Sequence, residues 1–531
     1  MKIKYENAKV YTGEGFADSF IVDTETGKFC EGAFDETVDL GGKFVCAGFT
    51  DSHMHILNYG NMLSMARLAD NTSSKKAMLE YFREYVADQE AKGLPKDGWI
   101  LGRGFNNDYF SDDKSFPSRY DLDEVSTTHP ICATRACGHI CVVNSKALEV
   151  MGVDRNTAQP EGGRFNVDEK GEPTGQFFET ATEMAYKALP ERNKEDAKRF
   201  LLAACEKLNS YGITSCHSDD YETIASLDWH GFVEAVNELI AENKLTVRIN
   251  EQAQFTNTEK LQQYIDEGGH KIKGEFFKSG PLKMLGDGSL GARTALLASG
   301  YADNPAVKGI GIYTQEEFDA MCDLANRNGM QIAIHAIGDG ALDRVLNAYE
   351  KALKNCPRDD HRHGIVHFQI TRPDQIEKMK ENNFHVYLQS IFLDYDIHIV
   401  KERAGEKLAS TSYQAKSLLT KGITLSNGSD GPVEEPVALR GIQCAVTRQD
   451  LKHSVDAYLP EEAFSVAEAI DSFTKGSAYA AFEENIKGQI KPGMLADFVV
   501  LNEDPFTADK YSIKDIQVAE TFVGGKSVYR A

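Results

Sequence analysis

Residues 330–355 have the sequence MQIAIHAIGDGALDRVLNAYEKALKN, which combines one strand and one helix. The first part is a short apolar run that ends in a histidine, and such runs are typical of strands buried on both faces. The second part places apolar residues three and four positions apart, as an amphipathic helix does. A strand followed directly by a helix is the repeating unit of folds with a parallel sheet.

The same alternation recurs along the chain from about residue 194, as in EDAKRFLLAACEKLNSYG followed by ITSCHSDD. Together with the early segment FVCAGFTDSHMH, it gives eight strand candidates, most of them followed by a helix. Eight such units predict an α/β fold of the (β/α)8 TIM-type barrel class. A doubly wound sheet is the alternative, but no glycine-rich phosphate loop follows the first strand.

Both chain ends consist of short strand candidates separated by Gly and Asp turns. We expect residues 1–47 and 485–531 to form one small β-sandwich, because either end alone is too short to bury a core. The predicted barrel then occupies residues 48–484. Residues from about 57 to 190 interrupt the alternation over a length too great for a loop, so we expect an inserted subdomain after the first barrel strand.

The composition is globular, with 41% hydrophobic and 26% charged residues among 531. The formal net charge of -23 argues against binding to nucleic acid or to anionic membranes. No apolar run is long enough for a membrane span, and the first residues lack the apolar core of a secretion signal. Ten cysteines without C-x-x-C spacing favour a reduced, cytoplasmic setting.

Polar residues recur where the predicted barrel strands end, at the rim where barrels of this class carry their chemistry. Each of them alone is explained as well by a part-buried core residue or a turn residue, but their joint occurrence is not. Nitrogen and carboxylate ligands around an open position predict a hydrolytic metal site. The candidate ligands are His53, His55, Lys283, His335, His367 and Asp430.

Several phrases of the sequence resemble the amidohydrolase superfamily and, within it, the YtcJ-like branch (amidohydrolase family 3), which includes N-substituted formamide deformylases. They are GFTDSHMH, PLKMLGDGSLGARTALL, IHAIGDGALDRV, GIVHFQ, GSDGPV and IKPGMLADFVVLNEDP, and they run from about residue 45 past residue 505. The resemblance implies a metal-dependent amidohydrolase that cleaves an amide, N-acyl or N-formyl carbon–nitrogen bond other than a peptide bond. It also implies a small-molecule substrate, and we expect a homo-oligomer, namely a dimer.

The resemblance further implies which residues bind metal. His53 and His55 would bind the more buried ion, and Lys283 resembles the lysine that many superfamily members carboxylate to bridge two ions. Glu179 is the second choice for the bridging ligand if Lys283 is not one. The implied cofactor is one or two divalent metal ions, zinc in the first place, with iron or manganese as alternatives.

The catalytic residues implied by the resemblance are Asp430, His367 and His335. Asp430 would ligate a metal and take the proton from the nucleophilic water. His335 and His367 would hold a second metal or, in a one-metal site, divide between ligand and electrostatic roles. Asp51 could orient the ligating imidazoles or could cap the end of its strand.

Four residues are candidates for substrate binding. Arg293 could clamp a carboxylate or orient a carbonyl, with a surface salt bridge as the alternative. His139 lies in the predicted insertion, which would roof the site. Trp99 and Phe105 could line an apolar pocket, or they could pack in the core of the insertion.

Two other functions compete with amide hydrolysis. Deaminases of heterocycles in this superfamily usually carry a glutamate three residues after the fifth-strand histidine, where this chain has Gly338. A non-catalytic barrel would typically have lost ligands, whereas six candidates are kept here. The chain departs from the branch at Gly431, where an aromatic residue is common, and at VHFQ, where an acid before the histidine is commoner.

Overall fold

The computed structural model describes residues 1–71, 73–137 and 139–531. This part of the chain forms two compact units, the first comprising Met1–Gly60 and Asn193–Ala531 and the second comprising Asn61–Arg192. Strands and helices are numbered below in chain order. None of the helices in the described ranges combines the length and the apolar character needed to cross a membrane.

Two sheets built from both chain ends share an apolar core in the first unit. In that core Tyr5 stacks on Phe20 with ring centroids 5.1 Å apart, and Phe498 stacks on Phe522 at 4.2 Å. The first sheet has the order β5–β4–β1–β6, with β1 Lys2–Glu6, β4 Phe20–Asp23, β5 Lys28–Cys30 and β6 Glu36–Asp39. The second has the order β24–β23–β22–β7–β2–β3, with β2 Lys9–Tyr11, β3 Phe16–Ala17, β7 Phe44–Ala47, β22 Phe498–Leu501, β23 Val518–Val523 and β24 Lys526–Arg530. The predicted β-sandwich of both chain ends is confirmed.

The first unit also contains a nearly closed barrel of eight parallel strands, which confirms the predicted fold class. Its strands follow the chain in order around the barrel. They are β8 Phe49–Met54, β15 Ile213–Ser218, β16 Arg248–Gln254, β17 Phe277–Leu285, β18 Ile332–Ala336, β19 Gly364–His367, β20 His385–Leu388 and β21 Leu425–Asn427. Every residue of β8 and β15 is buried, as expected of parallel strands covered on both faces.

Helices follow most of the barrel strands. The helices from Lys194 onward are α6 Lys194–Ser210, α7 Trp229–Ala241, α8 Thr258–Asp266, α9 Gln315–Arg327, α10 Asp339–Asn355, α11 Pro373–Glu381, α12 Leu393–Asp396, α13 Val400–Ala409, α14 Ala415–Thr420, α15 Ala438–Thr447, α16 Val466–Ser472 and α17 Lys475–Ala480. The start of α9 is fixed by a capping box, in which the Thr314 amide donates to Glu317 Oε2 at 2.8 Å and the Glu317 amide donates to Thr314 Oγ1 at 3.3 Å.

The second unit is inserted after the first barrel strand, as predicted, and has its own sheet and core. Phe82, Phe105 and Phe110 are fully buried in that core. The sheet has the order β13–β14–β12–β11–β10–β9, with β9 Ala66–Arg67, β10 Ile100–Phe105, β11 Ile131–Arg135, β12 Ile140–Val143, β13 Gly163–Val167 and β14 Pro173–Glu179. The remaining helices are α1 Ile56–Leu63, which runs from the first unit into the second, and α2 Lys75–Ala91, α3 Arg119–Asp123, α4 Ser145–Met151 and α5 Thr182–Lys187.

A buried ion pair ties the barrel to the terminal sheets. Arg248 on β16 donates from Nε and Nη2 to Asp497 Oδ2 and Oδ1, at 2.7 and 3.0 Å. Both side chains are almost fully buried, at 3% and 4% exposure. Because Arg248 would keep only the exposed Glu275, whose Oε1 lies 3.0 Å from its Nη1, as an acidic partner, we expect Asp497→Asn to lower the free energy of unfolding by about 1–3 kcal/mol.

Urea unfolding of the purified variants measures this loss. The matched control is Lys421→Met, which removes an exposed ion pair with Glu377 and should unfold close to the wild type. Equal unfolding midpoints for Asp497→Asn and the control would show that the buried pair does not hold the two parts together.

Candidate active site

The six predicted metal-site residues lie together at the carboxyl ends of the barrel strands. The ring centroids of His53 and His55 are 5.3 Å apart, those of His53 and His367 are 5.6 Å apart, and those of His367 and His335 are 4.4 Å apart. Lys283 Nζ lies 3.5 Å from His53 Nε2. Asp430 completes the group. Parallel barrel topology accounts for the convergence, because it brings all strand ends to one rim.

Asp430 joins the last barrel strand to the first. Its Oδ1 lies 3.2 Å from His53 Nε2 and 3.0 Å from His55 Nε2, and its backbone N–H donates to the carbonyl of His53 at 2.8 Å. Burial acts to raise the pKa of Asp430, but the side-chain hydrogen bonds with His53 and His55 outweigh it and hold that pKa well below its usual range. The carboxylate is therefore ionised and faces both imidazoles.

Three of the six residues could hold one divalent metal ion. His53, His367 and Asp430 are buried and offer donor atoms that all lie within 4.8 Å of one another. Burial, followed by the charge of Lys283, lowers the pKa of His53 to about 4. Burial also brings the pKa of His367 well below its usual value. Neutral imidazoles and an ionised carboxylate are the protonation states that metal binding requires.

The orientation of His367 supports this fit. Its Nδ1 donates to Gln389 Oε1 at 2.7 Å, and its Nε2 has no hydrogen-bond partner among the described residues. A hydrogen bond at Nδ1 fixes the tautomer and leaves the Nε2 lone pair free, as the hydrogen-bond partners of metal-binding histidines commonly do. Gln389 was not among the predicted site residues.

His55 is held between two carboxylates. Its Nδ1 is in ion-pair contact with Asp219 Oδ1, and its Nε2 faces Asp430. Burial alone would lower the pKa of His55, but the charges of Asp219 and Asp430 raise it to about 10. The role of His55 as a metal ligand stays a prediction, with Nε2 as the nitrogen that faces the site.

Lys283 is fully buried and donates from Nζ to Asp219 Oδ2 at 2.8 Å. Although burial acts in the opposite direction, the charges of His55 and Lys283 hold the pKa of Asp219 well below its usual range. The lysine therefore lies in an ion pair in this structure, and its carboxylation and bridging role stay predictions.

Asp219 was not among the predicted site residues. It directly follows β15, so the rule that selected the other residues, a polar side chain at the end of a barrel strand, applies to it as well.

His335 lies beside the three-residue donor group. Its Nε2 donates to the carbonyl of Gly288 at 3.2 Å and lies 3.3 Å from Asp287 Oδ1. Asp287 in turn accepts the backbone N–H groups of Ile337 at 3.0 Å and Gly338 at 2.8 Å. Asp287 thus joins the loop after β17 to the loop that follows His335. No separate pattern in the sequence predicted this role.

Asp51 caps backbone groups and does not contact an imidazole ring in its described hydrogen bonds. Its carboxylate accepts the N–H groups of His53 at 3.2 Å and Ser429 at 3.1 Å, and the hydroxyl of Ser429. Burial raises the pKa of Asp51 to about 7. Gly428 is required nearby, because a Cβ at that position would lie 2.5 Å from Asp51 Oδ1. Of the two alternatives, the cap is the one observed.

Arg293 lies in a surface salt bridge. Its Nε donates to Asp303 Oδ2 at 3.1 Å, and its side chain is 35% exposed. A surface salt bridge was the second of the two interpretations of Arg293. Its contact with substrate stays a prediction.

The other predicted substrate contacts belong to the second unit. Phe105 is fully buried in the apolar core of that unit, and Trp99 packs against another apolar cluster there. His139 and Glu179 are exposed and contact each other, with Nδ1 and Oε2 3.0 Å apart. Core packing is the alternative observed for the two aromatic residues. The roles of these four residues toward substrate or metal stay predictions.

Comparison with known proteins agrees with the geometry. Residues 36–529 match the amidohydrolase family. The YtcJ protein of Bacillus subtilis is 32% identical over 93% of this chain and 90% of its own length. The N-substituted formamide deformylase of Arthrobacter pascens is 24% identical over 95% of this chain and 92% of its own length. A crystal structure of an uncharacterized metal-dependent hydrolase from Pyrococcus horikoshii OT3 superposes with a TM-score of 0.75, at 26% identity, over 96% of this chain and 99% of that one.

Asp219 is the residue whose removal tests the charge arrangement most directly. Asp219→Asn should lower the free energy of unfolding by about 3–5 kcal/mol, because Lys283 would lose its buried partner. Metal affinity should fall roughly 10–100-fold, because the contact between residue 219 and His55, which orients the imidazole, would be weakened. Urea unfolding of the metal-free protein and competition with a chelator measure the two effects.

Asp266→Asn is the control, since Asp266 is an exposed acid of the same unit. A variant at Asp219 that matches this control in both measurements would contradict the assigned role.

Proposed function

This chain belongs to the amidohydrolase family, and from that premise we propose that it is a metal-dependent hydrolase of a carbon–nitrogen bond in an amide, N-acyl amine or N-formyl amine. The observation that carries the proposal is the convergence of His53, His367 and Asp430, in which Nε2 of His367 is buried and has no hydrogen-bond partner among the described residues. Two neutral imidazoles and one carboxylate leave room for water and substrate, as catalytic sites with three protein ligands do.

The site residues have different roles in the proposed hydrolysis. A divalent ion held by His53, His367 and Asp430 would supply Lewis-acid activation of water and of the substrate carbonyl. Asp430 is ionised and can take up a proton at its carboxylate and pass it to the leaving amine. His55 holds positive charge next to Asp430, and His335 lies on the other side of His367.

N-Formyl amines are the first substrate class to test, since the relative from Arthrobacter pascens is named for deformylation of such compounds. We also propose zinc as the resident metal, in one or two copies, with iron or manganese as alternatives and carboxylated Lys283 as the bridge of a two-metal site. All ten cysteines are unpaired, which supports a reducing, cytoplasmic setting. The homodimer stays a prediction.

A deaminase is the competing function, and the structure offers a specific argument against it. Gly338 occupies the place where deaminases of the superfamily usually carry a glutamate. A Cβ at Gly338 would lie 2.1 Å from the carbonyl oxygen of Leu296, so a larger side chain does not fit there. The converging donor group also argues against a non-catalytic scaffold.

Asp430→Asn tests the proton-transfer role. We expect metal-reconstituted wild type to hydrolyse at least one compound in a panel of N-formyl amines, N-acyl amines and lactams. The variant should be slower by about 100-fold or more, because its amide cannot accept the proton. Product amines are quantified under initial-rate conditions, and bound metal is measured for each preparation.

Glu259→Gln removes an exposed acid and serves as the control. Equal rates for wild type and Asp430→Asn at equal metal content would refute the assigned role. A wild type that keeps no stoichiometric metal and cleaves nothing in the panel would refute the proposed function.

A further inference from the structure

The segment GDGSLGARTALL, which follows β17, contains a buried acid beside the site. Asp287 in this segment is 2% exposed. Its Oδ1 accepts the N–H of Ile337 at 3.0 Å, and its Oδ2 accepts the N–H groups of Leu296 and Gly338, each at 2.8 Å. The fourth neighbour is Nε2 of His335, which lies 3.3 Å from Oδ1. Four donors around one carboxylate match its capacity of about four lone-pair sites.

The surroundings of His335 decide which of its ring nitrogens carries the proton. The two groups near Nε2 are the carboxylate of Asp287 and the carbonyl of Gly288, which is 3.2 Å away, and both can only accept hydrogen bonds. Nε2 therefore carries a proton, and in the neutral ring the lone pair is on Nδ1. Nδ1 makes no hydrogen bond within the described ranges, and the ring centroid lies 4.4 Å from that of His367.

Close packing of two loops brings Asp287 to the imidazole. The N–H of Gly286 donates to the carbonyl of His335 at 2.8 Å, and a Cβ at Gly286 would lie 2.5 Å from that oxygen. A Cβ at Gly338 would lie 2.1 Å from the carbonyl oxygen of Leu296. Since neither contact leaves room for a larger residue, the two glycines are what allow the acid to reach His335.

We propose that Asp287 is a positioning residue of the site, which fixes His335 in the tautomer with its proton on Nε2 and so leaves the lone pair of Nδ1 for the metal ion. The proposal rests on the proposed function and gives the segment GDGSLGARTALL a role in it. Three backbone N–H groups hold the carboxylate, and the carboxylate holds the imidazole. An asparagine at position 287 would place an NH₂ group against donors. With that group at the Oδ1 end, His335 would have to turn away or move its proton to Nδ1.

The Zn²⁺ affinities of two buried-acid variants test the proposal. Asp287→Asn should bind Zn²⁺ roughly 10–100-fold more weakly than the wild type, as measured by competition with a chelator. The matched control is Asp339→Asn. Asp339 is also 2% exposed and accepts a backbone N–H of the same loop, that of Ala298, at 2.9 Å, but its other partner is Arg372 and not His335. The control should keep the wild-type affinity.

Nuclear magnetic resonance of the metal-free wild type tests the tautomer without any change at Asp287. In protein whose histidines carry the heavy nitrogen isotope, the chemical shifts of the ring nitrogens show which one is protonated, and His335→Gln assigns the signal. We expect the proton on Nε2 in the wild type and in Asp339→Asn. In Asp287→Asn the signal should show the proton on Nδ1 or exchange between the two nitrogens. Should Asp287→Asn fail to fold, the wild-type tautomer decides.

The outcomes separate this proposal from the proposed function. If Asp287→Asn alone loses Zn²⁺ affinity and no compound of the amide panel is cleaved, the positioning role stands and the proposed function fails. If amides are cleaved but Asp287→Asn and Asp339→Asn bind Zn²⁺ equally well, Asp287 only joins the two loops and the positioning role is refuted. A proton on Nδ1 of His335 in the wild type would refute it as well.

Discussion

The ion pair between Lys283 and Asp219 is the interaction on which the site depends. Both side chains are fully buried at the carboxyl ends of the barrel strands, where an isolated charge would be prohibitively costly. Asp219 uses its other oxygen to hold His55, and His55 in turn faces Asp430. Charges of opposite sign therefore alternate along the series Lys283, Asp219, His55 and Asp430. His53 and His367 remain neutral beside this series, which keeps their nitrogens available for a metal ion.

Closure of the barrel and assembly of the site are the same structural event. Asp430 follows the eighth strand, and its backbone N–H bonds to the carbonyl of His53 on the first strand. Asp51 on the first strand caps Ser429 from the eighth. Since Gly428 lets the two segments approach closely, the carboxylate of Asp430 reaches His53 on the first strand and His55 just after it. A barrel that failed to close here would separate the carboxylate from the imidazoles.

The sequence was sufficient for features that follow from strand order alone. The eight strand–helix units, the sandwich of both chain ends and the six converging side chains could be predicted, because a parallel barrel places strand ends at one rim whatever the loops do. Asp219 obeys the same rule and could have been found by applying it to the second strand. Gln389 could not, since its importance lies in which hydrogen bonds it makes or lacks, and those depend on tertiary packing that no local pattern encodes.

Gln389 gives the site a property that its individual residues do not have. One end of its amide holds Nδ1 of His367 and so fixes the imidazole nitrogen that is free for metal. The other end, Nε2, is buried and has no hydrogen-bond partner among the described residues. Because both ends of the amide belong to one rigid plane, a group that accepted from Nε2 would also restrict the imidazole that Oε1 holds.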